Sequence, residues 1–230
     1  MTTEKRPLTF TLFALRLLSG LGGGFGGALI AFLAYFAFVS FLPTQGTSSI
    51  SIFTTIVIGF VVSLSTNVLA TILVSFMDEE KYSRRKTMIT HVFIFNLILF
   101  FVTIPFYALA TALGQVTAVA MVHFILSGFI SSLILEVLAG SEYALLGIYS
   151  QALGVFLTLG ILLLLASSQI NDLVFLFGTL PITWFMLQLT SGVGEWTYDT
   201  YLKYYGLDAL SSATDLGDEE GQEENEEIRE

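Results

Sequence analysis

The chain has no cysteine among its 230 residues and only two histidines. The missing cysteine excludes disulfide bonds, thiolate metal ligands and cysteine nucleophiles. Two histidines in different regions cannot supply a zinc site of the H-E-x-x-H type, and neither a phosphate loop nor a G-x-S-x-G motif is present. Paired intramembrane aspartates are also absent. We therefore expect a protein that is not an enzyme and that uses no metal and no cofactor.

Charge is scarce as well, since only 12% of the residues are charged whereas 54% are hydrophobic, and the mean hydropathy is +0.79. A soluble domain carries about 25% charged residues. Apolar runs of the length that crosses a bilayer recur along most of the chain. The composition predicts an all-α, polytopic integral membrane protein.

The net charge of −10 is concentrated in one terminal segment. Residues 215–230 hold nine acids and one arginine, a charge of −8, which leaves −2 for the rest of the chain. This segment lacks aromatic residues and cannot bury enough surface to fold, so we expect a disordered tail. No basic patch indicates nucleic acid as a partner.

Hydropathy predicts six transmembrane helices, each about as long as a tilted helix crossing a hydrocarbon core of ~30 Å. The apolar run after residue 92 is too long for one helix, and we divide it at Leu113–Gly114–Gln115, a short turn signal. The predicted spans are 18–42, 50–76, 88–112, 116–139, 143–167 and 172–190.

Lysine and arginine predict the orientation, because cytoplasmic segments carry an excess of both. With six spans, all nine fall on one side of the membrane: Lys5, Arg6, Arg16, Lys81, Arg84, Arg85, Lys86, Lys203 and Arg229. We therefore predict a multi-pass protein of the cell (plasma) membrane with both termini cytoplasmic (N-in/C-in). The predicted organisation is a cytoplasmic N-terminus and interfacial segment (1–17), the six-helix bundle (18–190), a juxtamembrane aromatic helix (191–212) and the acidic cytoplasmic tail (213–230).

The first span is unusually rich in glycine, with small residues spaced by four along LSGLGGGFGGALIAFLAYFA. That spacing leaves one helix face almost without side chains, so another helix can approach closely. The alternative is an unwound segment whose carbonyls line a substrate path. Packing is favoured, because an unwound backbone in lipid must find other partners. The predicted packing face, hereafter the glycine face, comprises Ser19, Gly20, Gly23, Gly24, Gly27 and Ala28.

Several polar residues fall inside the predicted spans, where polar groups are costly and therefore functional candidates. If they face one another, they form a polar pocket open to the cytoplasm, with Arg16 close enough in depth to pair with its one acid. The competing interpretation is that hydroxyls bond their own helix and that amides hold helices together. The candidate pocket residues are Asn67, Asn96, Ser131, Ser132, Glu136 and Gln151.

His123 and Asp172 form a second candidate site, since a histidine and an aspartate in the outer half of the membrane can relay protons. The commoner arrangement is a buried histidine that is hydrogen-bonded to a hydroxyl, for which Thr103 is the candidate. After the last span, aromatic residues recur at helical spacing and indicate a helix at the headgroup level or a protein-docking surface. These residues are Trp196, Tyr198, Tyr201 and Tyr205.

Two classes of function follow from these features. The first is a small permease or channel, or the membrane subunit of a transport complex, and the polar pocket favours it. The alternative is a non-transporting membrane anchor, scaffold or assembly factor that binds partner proteins through the glycine face and the C-terminal region. The expected partners are the lipid bilayer and other membrane subunits or a second copy of the chain.

Overall fold

The computed structural model describes residues 8–41, 48–167 and 172–205. These residues form six α-helices, and no strand occurs within the described ranges, so the prediction of an all-helical chain is confirmed. Helices suit this composition, because a helix satisfies its own backbone hydrogen bonds where water is absent. They are α1 (Phe10–Phe41), α2 (Ser48–Met77), α3 (Arg85–Leu113), α4 (Val116–Ala139), α5 (Ser141–Ala166) and α6 (Asp172–Tyr205).

Five of these helices contain stretches long and apolar enough to cross a membrane. The stretches are Phe10–Ala34, Ile56–Met77, Arg85–Leu113, Val116–Ala139 and Ala144–Ala166. Helix α6 is not among the five found in the described residues. The helices therefore fit a multi-pass membrane protein in contact with a lipid bilayer.

Helix α3 illustrates how the bundle distributes its side chains. Its buried positions recur every three or four residues, which is the spacing of one helix face. The opposite face exposes large apolar side chains such as Phe93, Ile98, Phe101 and Phe106. In a bilayer such a face contacts lipid. The buried face mixes apolar and polar residues: Met88, Val92, Asn96, Leu99, Thr103, Tyr107 and Ala110.

The predicted break at Leu113–Gln115 separates α3 from α4. Gly114 adopts a left-handed conformation with φ 68°, which costs glycine little because it lacks a Cβ. The amide of Gln115 donates to the carbonyl of Ala110 at 2.8 Å, and the amide of Gly114 donates to that of Thr111 at 3.3 Å. This pair of bonds is the Schellman motif that commonly ends a helix.

The glycine face of α1 packs against other helices of the same chain. A Cβ at Gly23 would overlap Ala70 and one at Gly27 would overlap Thr66, so α1 lies directly against α2. A step of four residues forward in α1, from Gly23 to Gly27, moves the contact four residues back in α2, from Ala70 to Thr66. The two helices are therefore antiparallel.

The same face also packs against α6. A Cβ at Gly24 would overlap Pro181, and one at Gly20 would lie 3.0 Å from the carbonyl oxygen of Trp184. Ser19 is buried and donates to the Leu15 carbonyl, while Ala28 is half-buried. This face is therefore occupied by α2 and α6 and is not open to another protein.

Two helix boundaries differ from the sequence-based ones. Helix α1 already begins at Phe10 rather than near residue 18, and Phe13 near its start is buried. The interfacial position of residues 1–17 stays a prediction. Arg16 is fully buried, because it lies on the same side of α1 as the glycine face and finds a carboxylate there. Helix α6 continues past residue 190 to Tyr205. Residues 206–230, which include the predicted acidic tail, lie outside the described residues.

The chain divides into two compact units, Met1–Gly192 and Val193–Glu230. The polar clusters described below belong entirely to the first unit. The described part of the second unit, residues 193–205, carries the aromatic residues.

Candidate functional site

Glu136, near the C-terminal end of α4, is the centre of a buried charged cluster. Its side chain is 2% exposed and its Oε2 lies 2.7 Å from Nζ of Lys81. Its Oε1 accepts hydrogen bonds from the hydroxyls of Tyr82 and Ser191, both at 2.9 Å, and lies 3.4 Å from Nη2 of Arg16. We call Arg16, Lys81, Tyr82, Glu136 and Ser191 the Glu136 cluster.

The five members of this cluster come from four parts of the fold: α1, α4, α6 and the connection between α2 and α3. Arg16 lies three residues before Ser19, so the packing that brings the glycine face against α2 and α6 also carries its guanidinium inward. Lys81 and Tyr82 lie in the connection between α2 and α3, and the fully buried Tyr82 packs in one hydrophobic cluster with Met88 and Leu135. The connection therefore inserts two side chains into this end of the bundle.

The cluster is held by charge-assisted bonds in surroundings of low polarity. Nη2 of Arg16 also donates to the Tyr82 hydroxyl at 3.1 Å and to the Ser191 hydroxyl at 3.2 Å. The Arg16 guanidinium carbon and Lys81 Nζ lie 5.8 Å and 5.1 Å from the centre of the Tyr82 ring, within the range of cation–π attraction. Burying these charges is costly, and their mutual geometry offsets that cost. The cluster thereby ties α1, α4, α6 and the α2–α3 connection together.

A second polar cluster lies deeper in the bundle and is centred on Asn96 of α3. Its Oδ1 lies 2.8 Å from Nδ2 of Asn67 and 3.2 Å from the Ser63 hydroxyl. Its Nδ2 donates to the Val92 carbonyl at 2.8 Å and to the Ser131 hydroxyl at 3.1 Å. Both ends of the Asn96 amide are therefore engaged, which fixes its orientation.

Helices α4 and α6 complete this cluster. The Ser127 hydroxyl lies 2.7 Å from that of Ser63, and the indole Nε1 of Trp184 donates to Oδ1 of Asn67 at 2.9 Å. Such a fully bonded network holds one arrangement of helices strongly. The Asn96 cluster comprises Ser63, Asn67, Asn96, Ser127, Ser131 and Trp184, and all of them are at most 1% exposed.

The remaining members of the predicted pocket lie elsewhere. Ser132 receives a hydrogen bond from Nε2 of Gln188 on α6 at 3.4 Å. Gln151 of α5 is fully buried, and neither atom of its amide has a hydrogen-bond partner among the described residues. The structure therefore divides the six predicted pocket residues into three groups: Asn67, Asn96 and Ser131 in the Asn96 cluster, Glu136 in the charged cluster, and Ser132 and Gln151 apart from both.

His123 of α4 is buried and its Nδ1 lies 3.1 Å from the Thr103 hydroxyl. The Tyr107 ring lies next to it, with ring centres 5.9 Å apart. The side chain of Asp172 lies outside the part of the chain whose side chains are described. The His123–Asp172 proton relay therefore stays a prediction.

The second unit presents its aromatic side chains on the surface. Trp196, Tyr198, Tyr201 and Tyr205 are 44%, 39%, 51% and 59% exposed. The rings of Tyr201 and Tyr205, four residues apart, have centres separated by 4.6 Å. This exposure suits contact with headgroups and contact with a protein equally well, and the docking role stays a prediction.

Sequence reasoning missed several members of these clusters. The charges of the α2–α3 connection indicate orientation, and no motif in the sequence marks Lys81 or Tyr82 as a site residue. Ser191 lies just beyond the predicted last span, and Trp184 is not among the candidates that the sequence offers. A tyrosine between charged residues, in a connection next to a buried acid, is the signal that could have identified Tyr82. No group of three histidine, aspartate or glutamate residues that could hold a metal ion occurs in the described ranges.

The chain matches no protein-family model, and no curated protein or solved structure is significantly similar to it. The described residues form a helical bundle with a polar interior, and its apolar helices are compatible with a multi-pass membrane protein.

Proposed function

We propose that the protein is a small permease or channel, or the membrane subunit of a transport complex, which moves a polar solute or ion between its helices. The observation that carries this proposal is the Asn96 cluster, in which polar side chains of α2, α3, α4 and α6 meet in the bundle interior. Polar side chains within a membrane are costly and commonly mark the route of a solute or ion. One pair of amides suffices to hold two helices together, whereas a route needs polar groups at successive depths.

The Glu136 cluster supplies the second depth. We place it on the cytoplasmic side of the plasma membrane, on the basis of six crossings with both termini inside, which the distribution of lysine and arginine favours. The bonds of Glu136 to two cations and two hydroxyls hold the helices together and close one end of the route. Separation of these helices would open that end. The protein acts in this proposal by binding and conformational change, without chemistry on its solute.

The proposal is tested by solute and ion flux into vesicles that contain the purified protein. Asn67→Leu and Glu136→Gln are expected to lower flux by about tenfold or more, because each removes hydrogen bonds at a buried polar site. The matched controls are Gln115→Leu and Glu79→Gln, which make the same kinds of change at exposed positions. Each variant must elute from gel filtration as the unaltered protein does. Flux that survives both buried changes would refute a route through these clusters.

The alternative function is a membrane anchor or assembly factor, and the exposed aromatic residues of the second unit favour it. Because the glycine face packs within the chain, such a partner would bind the C-terminal region. Alanine at Trp196, Tyr201 and Tyr205 should then release the protein that co-purifies. Tyr149→Ala, at a tyrosine that is 73% exposed on α5, is the control. An unchanged set of co-purifying proteins would exclude this surface as the docking site.

A further inference from the structure

Two buried glutamines outside both clusters have polar atoms that nothing in the described chain engages. Gln151 of α5 and Gln188 of α6 are each 0% exposed. Both amide atoms of Gln151, and Oε1 of Gln188, have no hydrogen-bond partner among the described residues. More than nine in ten buried polar groups in proteins are hydrogen-bonded, so a concentration of unbonded ones calls for a physical cause.

Neighbouring residues place both glutamines in one seam. On α5, Gln151 lies four residues after Gly147 and three before Gly154, so all three share a helix face. A Cβ at Gly147 would lie 2.6 Å from Cβ of Glu136, and one at Gly154 would lie 2.7 Å from the Thr190 hydroxyl. The face that carries Gln151 is therefore directed toward α4 and α6.

Gln188 reaches the same seam from α6. Its Nε2 donates to Ser132 at 3.4 Å, and Ser132 lies one turn before Glu136 on α4. It also lies one residue after Ser131 of the Asn96 cluster. We call Ser132, Gln151 and Gln188 the carboxamide seam, and it lies between the two clusters along α4.

We propose that the carboxamide seam is the selective binding site for a small uncharged solute that both donates and accepts hydrogen bonds, such as a polyol or urea. This inference rests on the proposed transport function. A carboxamide offers an oxygen acceptor and two N–H donors. Among the unbonded atoms, Nε2 of Gln151 is a donor, and Oε1 of Gln151 and Oε1 of Gln188 are acceptors.

An ion fits the seam less well than a neutral solute. The charged groups of the Glu136 cluster, one turn away, pair with one another. Within the seam itself the side chains are neutral, and an ion stripped of water without an opposite charge at hand is strongly disfavoured. A neutral solute can replace its hydrogen bonds to water with bonds to the two amides. The glycines on either side of Gln151 present no side chain that would obstruct separation of α5 from α4 and α6.

The test compares permeabilities of vesicles that contain the full-length protein or a variant. Glycerol and urea entry are followed by light scattering after rapid mixing, and water, potassium and chloride permeability are measured on the same vesicles. Gln151→Met keeps a similar chain length and removes both hydrogen-bonding groups. Gln115→Met makes the same change at an exposed residue. Gln188→Met provides a second seam variant in case the first does not fold.

We expect Gln151→Met to lower glycerol or urea permeability by roughly tenfold, as for two lost neutral hydrogen bonds, while Gln115→Met matches the unaltered protein. Unchanged glycerol and urea permeability in folded Gln151→Met or Gln188→Met vesicles would overturn the proposal. A change in water permeability alone would show that the seam holds only water, which also overturns it. Ion flux without neutral-solute flux would overturn the solute assignment but leave the transport function standing. No flux of any kind in the unaltered protein would remove the transport function itself.

Discussion

Replacing Glu136 by glutamine should destabilise the folded protein more than the same change at any exposed acid. Glutamine keeps the shape of the side chain but removes the negative charge that faces Lys81 at 2.7 Å and Arg16 at 3.4 Å. The two cations then stay buried without that charge. Breaking a buried ion pair by removing one partner costs about 3–5 kcal/mol.

Glu79→Gln supplies the matched control. Glu79 pairs with Arg85 at 2.8 Å, but its side chain is 65% exposed. Exposed pairs of this kind contribute about 0–1 kcal/mol, because water screens them. The two variants therefore differ in burial and not in chemistry.

The free energy of unfolding is measured by titrating detergent-solubilised protein with a denaturing detergent and following tryptophan fluorescence. A double variant, Arg16→Met with Glu136→Gln, tests the origin of the effect. If the cost arises from the lost attraction between Glu136 and Arg16, the double variant should lose less stability than the sum of the two single changes, with a coupling of about 0.5–3 kcal/mol. A Glu136→Gln variant as stable as Glu79→Gln would refute the electrostatic argument, and strict additivity would refute the pairing with Arg16.

Three further outcomes are expected. Gly23→Ala should lower the free energy of unfolding by about 1–3 kcal/mol through overpacking, because its Cβ would overlap Ala70. In the control Gly22→Ala the new Cβ meets only Leu73 Cδ1 at 3.7 Å, so this change should be neutral or stabilising. Equal effects of the two changes in the unfolding titration would contradict the observed packing. Trp184→Phe removes the hydrogen bond to Asn67 and should lower the free energy of unfolding by about 1 kcal/mol. The Trp196→Phe variant retains only the buried Trp184, so iodide should quench its fluorescence less than it quenches that of Trp184→Phe. The reverse order would contradict the assigned burial. A reporter fused after Arg229 should be active only in the cytoplasm, and activity on the other face would refute the six-span topology.

The sequence is most informative about the helices. Helix positions follow from long apolar runs, and the break at Gly114 follows from a turn signal within one of them. Boundaries in α1 and α6 are less predictable, because hydropathy describes preference for lipid and not the point at which a helix stops. Helix α1 begins eight residues before its predicted span, and α6 continues past its predicted span through a more polar C-terminal part.

The sites are harder to predict, because depth in the membrane is readable from sequence whereas the direction of a side chain is not. Asn67, Asn96 and Ser131 lie at similar depths and on facing helix surfaces, and they meet. Gln151 lies at a suitable depth, but α5 directs it toward α4 and α6. Lys81 and Tyr82 enter the charged cluster only because the α2–α3 connection folds back onto the end of the bundle, which no periodicity in the sequence indicates.

The pairing of Arg16 with Glu136 has a consequence for biosynthesis. The two residues are separated by 120 positions in the chain, and at about 5–20 residues per second a ribosome needs roughly 6–24 s to make the intervening segment. During that interval the arginine must keep its charge near the lipid headgroups, as long cationic side chains do at membrane surfaces. Helix α1 therefore gains the carboxylate partner of its arginine only after α4 has been synthesised.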